Sequence, residues 1–108
     1  MSAFTLDDLA RIIVERAAAN PETSYTAKLL SQGRAHVARK FGEEAIEAVV
    51  AGVEGDPSAL TSEAADVIYH LLVLLRSGGV EVSAVVEELA RRTGRSGLAE
   101  KASRPSGR

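Results

Sequence analysis

Apolar residues return every three or four positions through most of this chain, a spacing that predicts helices and not strands. Leu6, Leu9, Ile12, Ile13 and Ala17 hold this register until Asn20-Pro21 interrupts it, and Thr5 with Asp8 reads as a capping-box variant. A first helix is expected over 5–19. Ser24 can cap a short helical turn running through Leu30, and Gly33 breaks it before a longer helix over 34–53. Gly52, Gly55 and Asp56-Pro57 make the next break, with Asp56 as N-cap and Pro57 as the first residue of a helix over 57–77. Gly78-Gly79 ends it, and Ser83, Glu87, Leu89 and Ala90 keep register for a last helix that stops near Thr93 or Gly94. No segment alternates as a strand does. The expected fold is therefore all-α, a bundle of four to five helices in one domain over 1–93, followed by a small, polar, flexible basic tail over 94–108.

Composition adds bounds. With 108 residues, 45% of them hydrophobic, the chain can build one core but is small enough to gain from dimerisation. A net charge of −2 gives no general attraction toward nucleic acid or anionic membranes, so neither is expected as a partner. Zero cysteines exclude disulfides, thiolate zinc sites and cysteine nucleophiles. The start is unlike a basic signal peptide, and the apolar stretch Val67–Leu75, interrupted by Tyr69 and His70, is shorter than a bilayer span. A cytoplasmic enzyme is expected.

The chemistry is concentrated in two phrases, Glu44-Ala-Ile-Glu47 and Glu63-Ala-Ala-Asp66. Acids three apart on a helix are separated by about 60° around its axis and share a face. If the two helices pack together, four carboxylates gather; their repulsion favours a hard divalent cation such as Mg²⁺ or Mn²⁺. A single Glu-x-x-Glu is usually just a solvated helix face. Two such phrases on neighbouring helices, each with few compensating cations, point further. Glu63, Asp66 and His70 line one edge of their helix beside Leu60, Ala64, Val67, Leu71 and Leu75, as the first phrase sits beside Phe41, Ala45 and Val49. His70 reads as a hydrogen-bonded histidine at the core margin and not as a ligand, and His36 as a surface residue. Tyr25, Lys28 and Tyr69 are unremarkable singly. Arg91, Arg92, Arg95, Lys101 and Arg104 form a loose basic run able to reach phosphates. With no Walker-type glycine loop and no Ser/His/Asp arrangement, the chemistry left is metal-assisted attack of water on a phosphoanhydride.

The Glu-x-x-Glu phrase, a 15-residue gap and the Glu-x-x-Asp phrase resemble the signature of the all-α NTP pyrophosphatase superfamily, the MazG-like fold. Tyr25-Thr-Ala-Lys-Leu-Leu30, Lys40-Phe-Gly-Glu-Glu-Ala45, the run from Glu63 to Leu75 and Ser96-Gly-Leu-Ala-Glu-Lys-Ala-Ser-Arg104 narrow the likeness to the phosphoribosyl-ATP pyrophosphatases of histidine biosynthesis. This resemblance implies hydrolysis of 1-(5-phosphoribosyl)-ATP to 1-(5-phosphoribosyl)-AMP and pyrophosphate, the pathway's second step, with Mg²⁺ required and Mn²⁺ a substitute. It implies a homodimer with sites near the subunit interface. By position Glu44, Glu47, Glu63 and Asp66 fall on the metal-binding acids, Glu43 on an additional ligand or water-activating base, with Glu43, Glu44 and Glu47 as the catalytic acids. Lys28, Lys40, Lys101 and Arg104 are the implied phosphate partners. Departures from the family pattern at Ser31-Gln-Gly33 and Phe41 touch no acid, and without cysteines the chain resembles the form not fused to a zinc cyclohydrolase. The competing expectations are a general (d)NTP pyrophosphohydrolase of the same superfamily and a non-enzymatic helical dimerisation module.

Overall fold

The structure, a computed structural model, describes residues 3–94, which form five helices. They are α1 (Leu6–Ala17), α2 (Tyr25–Ser31), α3 (Arg34–Glu54), α4 (Pro57–Ser77) and α5 (Val82–Thr93), and among the described residues there is no strand. The expected all-α fold is the one observed. Helix α5 ends at Thr93, as expected of the last helix, while the tail residues Lys101 and Arg104 lie outside the described residues.

Local chemistry accounts for the helix ends. Thr5 Oγ1 accepts from the Asp8 amide at 3.1 Å and Asp8 Oδ2 accepts from the Thr5 amide at 2.9 Å, completing the capping box. Helix α1 stops at Ala17, earlier than expected, because the Asn20 carbonyl accepts from the amides of both Thr23 and Ser24 and turns the chain. The Ser24 hydroxyl accepts from the Ala27 amide at 3.1 Å and donates to the Arg16 carbonyl at 2.8 Å. One side chain thus caps α2 and ties it to the end of α1.

Helices α3 and α4 form a hairpin. Gly55 takes φ 76° after the last turn of α3, a left-handed conformation that a side chain would strain. Asp56 then caps α4 by accepting from the Ser58 and Ala59 amides, with Pro57 as the first helical residue. At the far end the Val80 amide reaches the Leu75 carbonyl and the Gly79 amide the Arg76 carbonyl, a Schellman motif with Gly79 at φ 72°.

The core is Ile13 of α1, Leu29 of α2, Val37 of α3 and Leu72 and Val73 of α4, flanked by Leu9, Ala10, Leu30, Tyr69, Leu74 and Val82. Each large apolar side chain contributes about 1.5–3 kcal/mol by leaving water. Its members on the hairpin, Val37, Tyr69, Leu72, Val73 and Leu74, lie in the half remote from Gly55. In the other half Ile46 is 64% exposed, Val49 60% and Val53 84%. The apolar stripes read from the sequence are therefore only partly core: Val49 and Leu60 face solvent, and Leu72 and Val73 are the deepest apolar positions of α4. Periodicity identifies an apolar face but not how far along the hairpin α1 and α2 reach. By length and composition α4, at 21 residues and mean hydropathy 1.3, could also cross a membrane, with 17% of that window buried here. It nevertheless runs alongside α3 and carries Glu63 and Asp66.

Candidate metal centre

The tight turn at Gly55 sets the register of the acids. Antiparallel helices place residues equally distant from their connection opposite each other; Glu47 and Glu63 lie eight residues either side of Gly55, and Glu44 and Asp66 eleven. The two phrases therefore meet. Glu44, Glu63 and Asp66 each bring a carboxylate oxygen within 4.8 Å of the other two. Oxygens around an octahedral Mg²⁺ at 2.0–2.1 Å stand about 2.9 Å apart when adjacent and about 4.2 Å when opposite. Small side-chain rotations would contract the observed trio onto one cation. The all-oxygen donor set suits a hard divalent ion over a soft one.

The trio differs in setting. Glu44 and Glu63 are half-buried and Asp66 is exposed. Withdrawal from water raises the pKa of Glu63 above its ordinary value, and the charges of Glu47, Asp66 and Glu44 raise it further, as does a hydrogen bond to Asp66. Glu47 is thus within electrostatic reach of Glu63, although it is exposed and outside the trio. A cation would reverse the sign of this crowding.

Glu43 points to different company. Its carboxylate lies 3.4 Å from Lys40 Nζ and 3.8 Å from Arg39 Nε. Hydrogen bonding to Glu43 first, then the negative character of Tyr25, Glu43 and Glu44, holds the Lys40 ammonium above its ordinary pKa. Lys40 therefore stays charged beside the acids. Lys28 is exposed on α2, with no ion pair among the described residues.

His70 is 6% exposed and does not join the trio. Its Nδ1 lies 2.7 Å from the Asp66 carbonyl, which can only accept, so Nδ1 carries the proton and donates. Its Nε2 lies 3.2 Å from the Tyr25 hydroxyl, within hydrogen-bond distance. Both nitrogens are engaged, as expected of a hydrogen-bonded histidine at the core margin. His36, expected at the surface, is instead half-buried, its Nδ1 3.1 Å from Arg39 Nη2. Sequence reasoning missed Arg39 as a partner of Glu43 and the Tyr25–His70 link. The first could be read from the four-residue spacing; the second joins residues 45 apart and left no local signal.

A model of the family described as phosphoribosyl-ATP pyrophosphohydrolase matches residues 6–93. The chain is 61% identical over 104 residues to a phosphoribosyl-ATP pyrophosphatase of Methylobacterium radiotolerans, covering 96% of this chain and 97% of that one. A protein of the same name from Methylobacterium nodulans is 60% identical, with the same 96% and 97% coverage. One from Agrobacterium fabrum is 55% identical over 106 residues, covering 98% of this chain and 99% of that relative. The match runs from α1 to α5, the four acids of α3 and α4 within it, and on that footing the chain belongs to the phosphoribosyl-ATP pyrophosphohydrolase family.

Proposed function

We propose that this protein hydrolyses 1-(5-phosphoribosyl)-ATP to 1-(5-phosphoribosyl)-AMP and pyrophosphate in histidine biosynthesis. The convergence of Glu44, Glu63 and Asp66 carries the chemical part of this reading, and the names of the relatives carry the substrate. Glu44, Glu63 and Asp66 would hold Mg²⁺, or Mn²⁺ in its place, with Glu47 beside them. When bound, that cation supplies neutralisation of the phosphate oxygens and lowers the pKa of water. Glu43, Glu44 and Glu47 are the candidates to take the proton as water adds to phosphorus and the α–β anhydride bond breaks. Lys40, held charged beside Glu43, and Lys28, exposed on α2, are proposed to meet the phosphates; Lys101 and Arg104 are proposed for the same task from the tail phrase alone.

The assembly proposed is a homodimer. Ile46, Val49, Val50 and Val53 share one face of α3 and are all exposed, an apolar surface suited to a second copy. Sedimentation as a monomer at micromolar concentration would remove this part of the reading. A cytoplasmic location, with neither membrane nor nucleic acid as partner, agrees with the pathway.

The direct test is incubation of purified protein with phosphoribosyl-ATP and Mg²⁺. Pyrophosphate release at a rate well above that with ATP, dATP or dCTP supports the assignment; release of single phosphate, or equal rates across the panel, overturns it in favour of another chemistry or a general pyrophosphohydrolase. Asp66→Asn should abolish turnover while leaving helical content nearly unchanged.

A further inference from the structure

The aromatic cluster beside the carboxylates has more order than a core margin needs. Tyr25 stacks on Tyr69 with ring centroids 6.2 Å apart and planes 23° from parallel, and His70 stands nearly perpendicular to both rings, its centroid 6.0 Å from that of Tyr25 and 5.0 Å from that of Tyr69. Thr26 and Tyr69 share a short hydroxyl contact that fixes the lower ring to α2. His70, buried and anchored to the Asp66 carbonyl, holds the Tyr25 hydroxyl. Yet Tyr25 remains 52% exposed. With one face against Tyr69 and its hydroxyl tied down, the exposure falls on its outer face.

We propose that Tyr25 is a specificity-determining residue, an immobilised aromatic platform on which the purine of the substrate stacks. The inference rests on the phosphoribosyl-ATP reading of the site. Three observations place the platform correctly. His70 follows Asp66 by one helical turn, so the ring bonded to it stands on the same side of α4 as the carboxylate trio. Lys40, on the other flank, is close enough to feel the Tyr25 oxygen and would bridge base and phosphates. Lys28 lies three residues after Tyr25 on the same helix, sharing its face.

The chemistry of the substrate gives the platform a discriminating role. Substitution at N1 makes the protonated adenine a cationic amidinium, and an electron-rich tyrosine face attracts a cation more strongly than a neutral ring. Ordinary ATP lacks that substituent. A ring held by Tyr69 and His70 loses little freedom on binding, so the stacking contact is realised at small entropic cost.

The test combines kinetics with a metal-free binding measurement. Tyr25→Leu should raise KM for phosphoribosyl-ATP roughly tenfold, equivalent to about 1.4 kcal/mol, with kcat changed less than about twofold. Tyr25→Phe, which keeps the ring but loses the bond to His70, should fall between wild type and Tyr25→Leu. The chain has two tyrosines and no tryptophan, so tyrosine emission reports this cluster directly. Titrating wild-type protein with N1-methyladenosine 5′-monophosphate in EDTA should quench that emission saturably and at lower concentration than AMP; Tyr25→Leu should abolish the effect. An unchanged KM in Tyr25→Leu, equal quenching by the two nucleotides, or no quenching of the wild type overturns the proposal. So does a Tyr25→Leu chain that loses kcat and helical content together, which would make the ring scaffold, unless wild-type quenching is saturable and selective. Absence of pyrophosphate release by the wild type would instead be a failure of the functional reading itself.

Discussion

Replacing Glu44 by Gln keeps the side chain's size and removes one of the three charges that converge between α3 and α4. Loss of groups that support a metal site typically weakens affinity about 10- to 100-fold, and a direct ligand belongs at least in the middle of that range, at about thirtyfold. At a Mn²⁺ concentration of about 100 times the wild-type Kd, binding stabilises the native state by about 2.7 kcal/mol. The variant would see only about three times its own Kd, which gives about 0.9 kcal/mol. The difference of about 1.8 kcal/mol amounts to about 7–14 °C in Tm for a domain of this size. Thermal unfolding followed by circular dichroism, with Mn²⁺ and with EDTA, measures both terms. In EDTA the variant should be no less stable than wild type, because the trio repels itself when metal-free. An equal Mn²⁺-induced rise in Tm for both proteins would remove Glu44 from the metal centre. A variant destabilised in EDTA would show that the carboxylate is structural.

Other outcomes follow from the same structure. The raised pKa of Glu63 means that the folded state favours its protonated form; metal-free stability should therefore fall as pH rises from the ordinary 4.5 through the raised value, and Glu63→Gln should flatten that dependence in EDTA melts between pH 4 and 7. A slope identical in the two proteins would refute it. Glu88 behaves oppositely: Arg91 and Arg92 hold its pKa down at about 2, so its contribution is present above the ordinary 4.5 and lost as pH falls toward 2. The small Tm deficit of Glu88→Gln, given the exposed setting, should then shrink between pH 6 and pH 2.5, and a constant deficit would count against the ion pair. Leu29→Ala, at a position 2% exposed, should cost about 2–5 kcal/mol in urea unfolding by leaving a cavity beneath α2. A loss below about 1 kcal/mol would mean that the short helix is anchored elsewhere.

The helices were legible in the sequence because their causes are local. Caps such as Thr5 and Asp56, breaks such as Gly55 and Gly79, and a three-to-four-residue period act over one or two turns, so their positions can be read without knowing what packs on what. The four acids were legible for the same reason. Their division was not. Glu44, Glu63 and Asp66 converge, Glu47 stands at the edge, and Glu43 turns to Arg39 and Lys40, although Glu43, Glu44 and Glu47 lie within five residues of α3. Sequence spacing fixes the angle between neighbours on a helix but not the rotation of that helix against its partner. Packing of Val37 against Leu72 and Val73 in the core sets that rotation, and the tight turn at Gly55 sets the axial register. The Tyr25–His70 bond likewise exists only because Leu29 and Thr26 seat α2 against α4. This sequence by itself determined the helices and the type of donor; the tertiary structure decided which donors meet, because convergence depends on helix rotation and register, set by contacts distant in the chain.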